Sequence, residues 1–262
     1  MKGKRLGWLV VLTLVVGIIS GCSSNKEDME EVVEVNEVDL LVDALSKTKD
    51  AISVEGVHES WVDYKSEKQS VKPAMAIDYK IHKDNKFNDD NIESSLSFDL
   101  VTIEGEDQSG IIYSKDNIYY LDVYGLKAIV LKDNTRNFYE HIEIIPVKAS
   151  IIESIKMEEK DGEKILQVQL SEKGIKEIAI DATFKNMAAE HYESDAITVK
   201  KYTLTYVIKD DGYVYNQDLS YQLHVQTEAG SAVVTGRVIN EITTYEEHPI
   251  EFPDFSEYTE IN

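Results

Sequence analysis

Apolar residues recur with helical spacing in one part of this chain and with the spacing of strands in others. The positions where the spacing changes predict the order of the helices and strands. Between Glu37 and Ile52 the apolar positions have helical spacing, with charged residues on the opposite side. This pattern predicts an amphipathic helix. After Gly56 the period becomes two over several short segments, as in strands with one buried face. The chain therefore begins its folded part with a helix and continues mainly as sheet.

Ten segments show the alternation of half-buried strands. They cover residues 58–64, 74–82, 92–103, 110–114, 118–123, 127–131, 164–170, 202–208, 219–225 and 232–245. Tight turns at Asp210-Asp211-Gly212 and Glu228-Ala229-Gly230 separate the last three segments. These three strands are predicted to form an antiparallel meander.

The remaining segments are predicted as helix or irregular chain. Residues 134–157 are expected to hold a loop and then a helix beginning after Pro146, with Ile151, Ile152 and Ile155 facing inward. Ser171 is a suitable cap for a further helix running to about Ala189. The tail 248–262 contains two prolines, and it is expected to lie over the sheet without adding a strand.

The N-terminus carries a targeting pattern. Lys2, Lys4 and Arg5 precede an apolar run, 6–18, which is short for a transmembrane helix but suited to the core of a signal peptide. The segment that follows, Ile19-Ser20-Gly21-Cys22, resembles the lipobox of bacterial lipoproteins. The alternative is an uncleaved membrane helix with an incidental cysteine. The lipobox is favoured because Cys22 is the only cysteine, and one unpaired thiol has little other use outside the cytoplasm.

The lipobox resemblance implies how the protein is held. In that family the cysteine thiol receives a diacylglyceryl group, the chain is cleaved before the cysteine, and acyl chains such as palmitate anchor the product. The expected organisation is a signal peptide at 1–21, an acidic tether at 22–36 and one folded domain at 37–262. The first turn of a helix is the alternative for part of the tether. The expected location is the extracytoplasmic face of the cell membrane.

Charge excludes one class of partner. Removal of 1–21 takes away three basic residues and no acidic one, which leaves 24 Lys and Arg against 49 Asp and Glu, a net charge of −25. A surface this acidic repels nucleic acid and anionic lipid headgroups. The covalent anchor alone is therefore expected to hold the protein at the membrane.

No motif for catalysis, a cofactor or a metal is apparent. The sequence lacks G-x-S-x-G, a Walker loop, H-E-x-x-H and C-x-x-C. Acidic clusters at 84–90 and 158–161 have some capacity for weak calcium binding, but solvated loops are favoured because neither shows the ligand order of an EF-hand. The histidines are scattered without metal-ligand spacing, which favours structural or surface roles: His58, His82, His141, His191, His224 and His248. No enzyme activity is predicted.

The order of elements resembles that of the LolA-like and LppX-like lipoproteins. The residues that carry the resemblance are Leu40-Leu41-Val42-Asp43-Ala44-Leu45, Ile118-Tyr119-Tyr120-Leu121, Gly125-Leu126-Lys127, Asp210-Asp211-Gly212-Tyr213, Ile250-Glu251-Phe252-Pro253 and Tyr258-Thr259-Glu260-Ile261. The resemblance implies an α+β fold in which a strongly curved antiparallel β-sheet, a half-barrel, wraps around α-helices. It also implies an apolar cavity that holds lipid in some members.

Two functions follow as hypotheses. In the first, the domain binds a lipid or another apolar ligand, and small helix residues such as Ala44, Ala179 and Ala182 leave room for it. In the alternative, the lipoprotein docks to a cell-envelope enzyme or receptor. The 15 tyrosines suit a half-buried sheet face, and a cavity mouth or partner surface is the second interpretation of them.

Overall fold

One large sheet dominates the structure, a computed structural model that describes residues 36–83, 92–131, 142–187, 196–227 and 230–260. Two helices accompany thirteen described strands, so the predicted α+β class holds with a strong excess of sheet. The elements are α1 Glu37–Lys49, β1 Ser53–Ser66, β2 Ser70–Val71, β3 Ala74–Lys83, β4 Ile92–Val101, β5 Asp107–Lys115, β6 Ile118–Val123, β7 Leu126–Leu131, β8 Ile152–Lys160, β9 Glu163–Leu170, α2 Glu172–Met187, β10 Ile197–Ile208, β11 Val214–Thr227, β12 Gly230–Thr244 and β13 Thr259–Glu260.

The sheet is curved and does not close. Its strand order is β13-β7-β6-β5-β4-β3-β1-β12-β11-β10-β9-β8, with β2 paired to β1 beside this path. The pairs are antiparallel, except that β13 runs parallel to β7. The predicted meander of the last three long strands is present as β10, β11 and β12. Among the described strands, β8 and β13 are the two ends of the path.

Helix α1 forms where the apolar spacing predicts it, but it ends earlier than predicted. The Asn36 side chain accepts a hydrogen bond from the Val38 amide, as an N-cap does. The inward stripe of the helix buries Leu41 and Ala44. The helix stops at Lys49, and Ile52, predicted as its last apolar residue, is 46% exposed. Gly56 lies within strand β1 and does not mark the break.

Helix α2 begins where the sequence placed it. The Ser171 hydroxyl accepts a hydrogen bond from the Gly174 amide. Gly174 packs closely against the chain that precedes β8. A Cβ atom added to Gly174 would lie 2.8 Å from the Cβ atom of Ile151. A larger residue would push α2 away from this segment.

The predicted helix after Pro146 is wrong. A single 3₁₀ turn, Ala149–Ile151, leads directly into strand β8, which pairs with β9. Ile151, Ile152 and Ile155 do pack inward, as predicted. A β-bulge between Ile152 and Ser154 brings these residues to one face, so their spacing imitates that of a helix. Isoleucine is β-branched and favours the extended state once β9 supplies a hydrogen-bonding partner.

The inner face of the sheet carries two apolar cores. The first core lies on β8 to β12 with the two helices, and it includes Leu41, Ala179 and Leu166. The second core lies on β3 to β6, and it includes Ile77, Leu96 and Tyr119. Side chains alternate between the two faces of a strand. The residues between the inward ones therefore lie on the opposite face of the sheet, which we call the outer face.

The tail lies over the outer face, as predicted, but it also adds a strand. Phe255 stacks on Tyr120 with ring centroids 3.7 Å apart, and it meets Tyr113 edge to face at 5.8 Å. Thr259 and Glu260 then pair with β7, which corrects the prediction of a tail without a strand. The tail therefore covers an edge that would otherwise present free backbone groups.

Several predictions fall on residues outside the described ranges. These are the signal peptide and lipidation site at Cys22, nearly all of the tether, the acidic cluster 84–90, the loop at 134–141 with His141, His191, the last two residues of the second predicted helix, Glu228 and Ala229 of the predicted turn, and the last two residues of the tail. Residues Val35–Asn262 group as one compact unit, and the division of the chain at 21 and 36 stays a prediction. Within the described residues, the two helices are too short or too polar to cross a bilayer.

Candidate ligand-binding surfaces

The two helices cover one half of the inner face. Helix α2 packs on β1, β9, β10 and β12, while α1 contacts β8 and β11. Several large side chains of this half are fully buried, as Leu41, Leu166 and Tyr206 show with 0% exposure, and others packed against them are partly buried. Ala179 and Ala182 are 0% and 7% exposed within the same core. The small residues of α2 therefore lie inside the first core.

The other half of the inner face, on β3 to β7, is covered more thinly. Ile142 and Ile144 pack against the second core, and beneath them Tyr79, Ile112 and Tyr119 are almost fully buried. The buried pair Tyr79 and Leu96 lies toward the end of the sheet where β3 finishes and β4 starts. Met75 and Phe98, toward the opposite end of the same strands, also pack against this core but are half-buried.

At that opposite end, apolar side chains form a strip, which we call the open strip. It consists of Met75, Phe98, Leu100, Val123 and Leu126. The first four are half-buried, and Leu126 is 60% exposed. Contiguous apolar surface that is open to water commonly marks an interaction site.

Strand register makes the open strip continuous. Met75 is opposite Leu100, and Val123 is opposite Leu126. Gly110 joins the two pairs, because it lies opposite both Phe98 and Val123. A Cβ atom on Gly110 would lie 2.9 Å from Cγ2 of Val123 and 3.2 Å from Cε1 of Phe98. Glycine thus lets these two side chains meet across β5.

A buried polar row separates the first core from the second. His58, Asn240, Gln217 and Tyr206 occupy matched register positions on β1, β12, β11 and β10. Nδ1 of His58 lies 2.8 Å from Oδ1 of Asn240, and Nδ2 of Asn240 donates to Oε1 of Gln217 at 2.9 Å. These side chains are at most 2% exposed. The row is therefore satisfied internally, as a buried polar group requires.

The polar row also holds the segment that covers the second core. Asn240 donates to the carbonyl oxygen of Glu143 at 3.3 Å, and Gln217 accepts from the amide of Ile145 at 3.2 Å. The hydroxyl of Tyr206 donates to the carbonyl oxygen of Ile145 at 2.7 Å. The backbone next to Ile144 is thus fixed above the boundary between the cores.

Sequence reasoning did not single out Gln217 and Asn240. Each is a polar residue at an inward position of a strand whose other inward residues are apolar. Gln217 lies two residues before Leu219, and Asn240 lies midway between Val238 and Ile242. An inward polar residue on a strand is the signal that would have found them. His58 has the structural role predicted for it.

The other described histidines do not assemble a metal site. His248 has Nδ1 at 2.9 Å from the carbonyl oxygen of Glu246 and 3.5 Å from the Ser53 hydroxyl. His82 is opposite Ser53 in the β1–β3 register. Across the described residues, no group of three or more His, Cys, Asp or Glu side chains has the arrangement to hold a metal ion.

Four tyrosines belong to the packing of the cores, and the open strip contains no tyrosine. Tyr79, Tyr119, Tyr206 and Tyr221 are buried in the two cores. Burial raises the pKa of Tyr221 to about 12 and raises the pKa values of Tyr79 and Tyr206 as well. A neutral phenol suits an apolar environment, so these residues support the sheet-face interpretation.

A separate groove crosses the outer face of β1, β3, β4 and β5. It has a volume of about 650 Å³. Two outward register rows form it, Trp61, Ala74, Val101 and Asp107 in one and Glu59, Ala76, Asp99 and Ser109 in the other, and the row between them, Ser60, Met75, Leu100 and Gln108, also lines it. Ala74 and Ala76 make a low floor because their side chains are small. Trp61 and Tyr124 stand at the two ends, 40% and 69% exposed.

Comparison with known proteins shows only distant likeness. No protein-family model and no curated protein matches the chain. Among solved structures, it is similar to LprF from Mycobacterium bovis, with 10% identity, coverage of 83% of this chain and 95% of that one, and a TM-score of 0.41. It is also similar to a LolA superfamily protein from Nitrosomonas europaea, with 8% identity, 80% and 95% coverage and a TM-score of 0.24. The second protein bears the LolA name to which the sequence pattern pointed, but scores this low carry no argument about function.

Proposed function

We propose that the protein is a membrane-anchored lipoprotein whose domain binds a lipid or another apolar ligand at the open strip. The observation that supports this is the contrast within one sheet face. The first core, beneath the helices, contains fully buried side chains such as Leu166 and Leu219, whereas every side chain of the open strip keeps partial exposure and Leu126 is 60% exposed. A ligand that covers these side chains removes apolar surface from water.

The side chains in and around the open strip are suited to a hydrocarbon ligand. The inward positions of β3 to β7 are apolar or uncharged, apart from Lys83 at the far end of β3. Gln108, opposite Leu100, and Ser60, opposite Met75, are the polar residues next to the strip in register. Each methylene buried there contributes about 0.8 kcal/mol, so an acyl chain in partial contact gains several kcal/mol. The ligand site therefore lies away from Ala179 and Ala182, where the sequence placed it.

The anchor is the second part of the proposal. The lipobox resemblance assigns lipidation to Cys22 after removal of the signal peptide 1–21, and it places the domain on the extracytoplasmic face of the cell membrane. Residues 22–36 would then span at most about 50 Å when extended, at about 3.3 Å per residue. Repulsion among acidic residues in this segment favours extension. Such a tether leaves the domain within reach of membrane lipids without contact between the acidic surface and the headgroups.

Two neighbouring residues of β4 provide a matched test. Leu100 faces the open strip, and Val101 faces the opposite side of the sheet. We would titrate the full chain in mild detergent with a fluorescent fatty acid, and compare Leu100→Gln with Val101→Gln. Loss of apolar contact should raise the Kd of the Leu100→Gln variant at least fivefold, while Val101→Gln should stay within twofold of the parent.

The result has a clear negative outcome. Circular dichroism on both variants shows whether each is folded before its affinity is compared. If the parent chain takes up no apolar probe, or if the two substitutions weaken binding equally, the open strip is not a ligand site. The docking of the lipoprotein to a cell-envelope protein would then be the favoured function.

A further inference from the structure

The outer groove lies on the face opposite the open strip, and it differs in chemistry. Three carboxylates line it: Glu59, Asp99 and Asp107. Its lining includes neither lysine nor arginine. Among the described residues, these carboxylates form no ion pair within 4 Å. The groove thus has negative charge beside exposed aromatic rings.

The nearest cation in register does not neutralise this charge. Arg237 is opposite Trp61 on the neighbouring strand β12 and is not part of the groove lining. Its guanidinium donates to both carboxylate oxygens of Asp218, at 3.1 and 2.7 Å. The hydrogen bond to Asp218 is the main cause that raises the pKa of Arg237, and the charge of Glu59 adds a smaller effect, so Glu59 already interacts with a cation. Asp99 and Asp107 remain as the carboxylates available to a ligand.

The width of the groove indicates the size of its occupant. Trp61 on β1 and Asp107 on β5 are separated by three steps between strands. At about 4.8 Å per step, this separation is about 14 Å. Tyr124, whose hydroxyl donates to the carbonyl oxygen of Asp107, marks the same end. One small cation cannot touch both ends, whereas about four extended residues span 14 Å.

We propose that this groove binds an extended, arginine-containing segment of a partner protein. Arginine fits both features, since its guanidinium stacks on an aromatic face and pairs with a carboxylate through two N–H groups. Ala74 and Ala76 leave room for a backbone to cross the strands. The net charge of the chain, −22 before any processing, adds attraction for a basic partner at long range.

Trp61 serves as the reporter for a direct test. The chain has two tryptophans, so Trp8→Phe leaves Trp61 as the only tryptophan, which is excited selectively at wavelengths where tyrosine does not absorb. The full-length Trp8→Phe chain is titrated with a capped five-residue peptide that alternates arginine and alanine. The same peptide with neutral citrulline in place of arginine is the matched ligand control, and a capped single arginine is the length control.

The expected result is a saturable change in Trp61 fluorescence with the arginine peptide that weakens as salt is added. Asp99→Asn and Asp107→Asn should each raise Kd about two- to fivefold, as loss of one exposed ion pair does. Glu158→Gln removes an equal charge from exposed β8 and should leave Kd unchanged.

Three outcomes would overturn the proposal. They are no saturable signal at millimolar peptide, equal binding of the citrulline peptide, and equal Kd values for the parent and both aspartate variants. Equal affinity for the single arginine would assign the groove to a small cation instead. The fatty-acid titration addresses the opposite face, so failure here leaves the open strip untouched, and the reverse also holds.

Discussion

The ring of Tyr221 lies directly over Gly236 on the neighbouring strand. A Cβ atom on Gly236 would come within 2.3 Å of Cζ and Oη of that ring. The two residues are opposite each other in the β11–β12 register, and the Tyr221 hydroxyl is 2.9 Å from the hydroxyl of Thr183 on α2. The absence of a side chain at one position thus lets a tyrosine reach from the sheet to the helix.

Gly236→Ala is therefore expected to destabilise the domain. The added methyl group displaces the Tyr221 ring or β12, and overpacking of this kind costs about 1–3 kcal/mol in the free energy of unfolding. Val233→Thr, on the exposed face of the same strand, should change that free energy by less than about 0.5 kcal/mol. Urea denaturation measures both. In a Tyr221→Ala background, Gly236→Ala should cost much less, and an undiminished cost would contradict the assigned contact.

Asn240→Ala tests the polar row. The substitution removes partners from His58, Gln217 and the carbonyl oxygen of Glu143 together. Each buried polar group left unsatisfied costs about 1–3 kcal/mol, so we expect a loss of at least 2 kcal/mol in the free energy of unfolding. The segment at 142–145 should also become more sensitive to protease, because it loses a backbone contact.

Asn216→Ala is the control for this experiment. Asn216 precedes Gln217 on β11 and is only partly buried on the alternate side of the strand. Its substitution should change stability by less than about 0.5 kcal/mol. Similar losses from Asn240→Ala and Asn216→Ala would show that the polar row has no special role.

Stability should fall steeply above pH 10 because the folded state keeps its buried tyrosines neutral. Burial raises the pKa of Tyr221 to about 12, and it also raises the pKa values of Tyr79, Tyr206 and Tyr245. The unfolded chain releases these protons near pH 10, whereas the folded chain holds them. The stabilisation is complete below pH 10 and decreases as pH rises toward 12, by about 1.4 kcal/mol per pH unit for each tyrosine.

Denaturation at pH 8 to 11.5 measures this slope. Tyr221→Phe removes one titrating group and should make the slope shallower by about 1.4 kcal/mol per pH unit. Tyr124→Phe, at a mostly exposed position, should leave the slope as it is. A stability that stays level through pH 11 would contradict the raised pKa values.

Cys22→Ala should prevent attachment to the membrane. If the lipobox is functional, the variant lacks the thiol that receives the diacylglyceryl group, and it will appear as unprocessed precursor or in the soluble fraction. Metabolic labelling with a tagged fatty acid, followed by fractionation, measures the outcome. Ser23→Ala is the control and should keep normal labelling. Labelling that persists in Cys22→Ala would refute the anchor.

The linear pattern was sufficient to predict most elements of the fold. Helix α1, helix α2 and the strands of the C-terminal meander follow from the period of their apolar residues, since that period directly reflects which side of an element is buried. The capping of α2 by Ser171 could also be predicted from the sequence, because it depends on residues only a few positions apart. Net charge and the absence of catalytic motifs likewise required the sequence alone.

The tertiary structure determined those features that the local spacing of apolar residues leaves ambiguous. Ile151, Ile152 and Ile155 fit a helix until β9 supplies hydrogen bonds and a bulge realigns them. The open strip, the polar row and the outer groove each join residues from several strands, and their partners are set by register over long sequence separations. Periodicity tells which face a residue occupies, whereas register and helix cover determine whether that face is buried, and these depend on the whole chain.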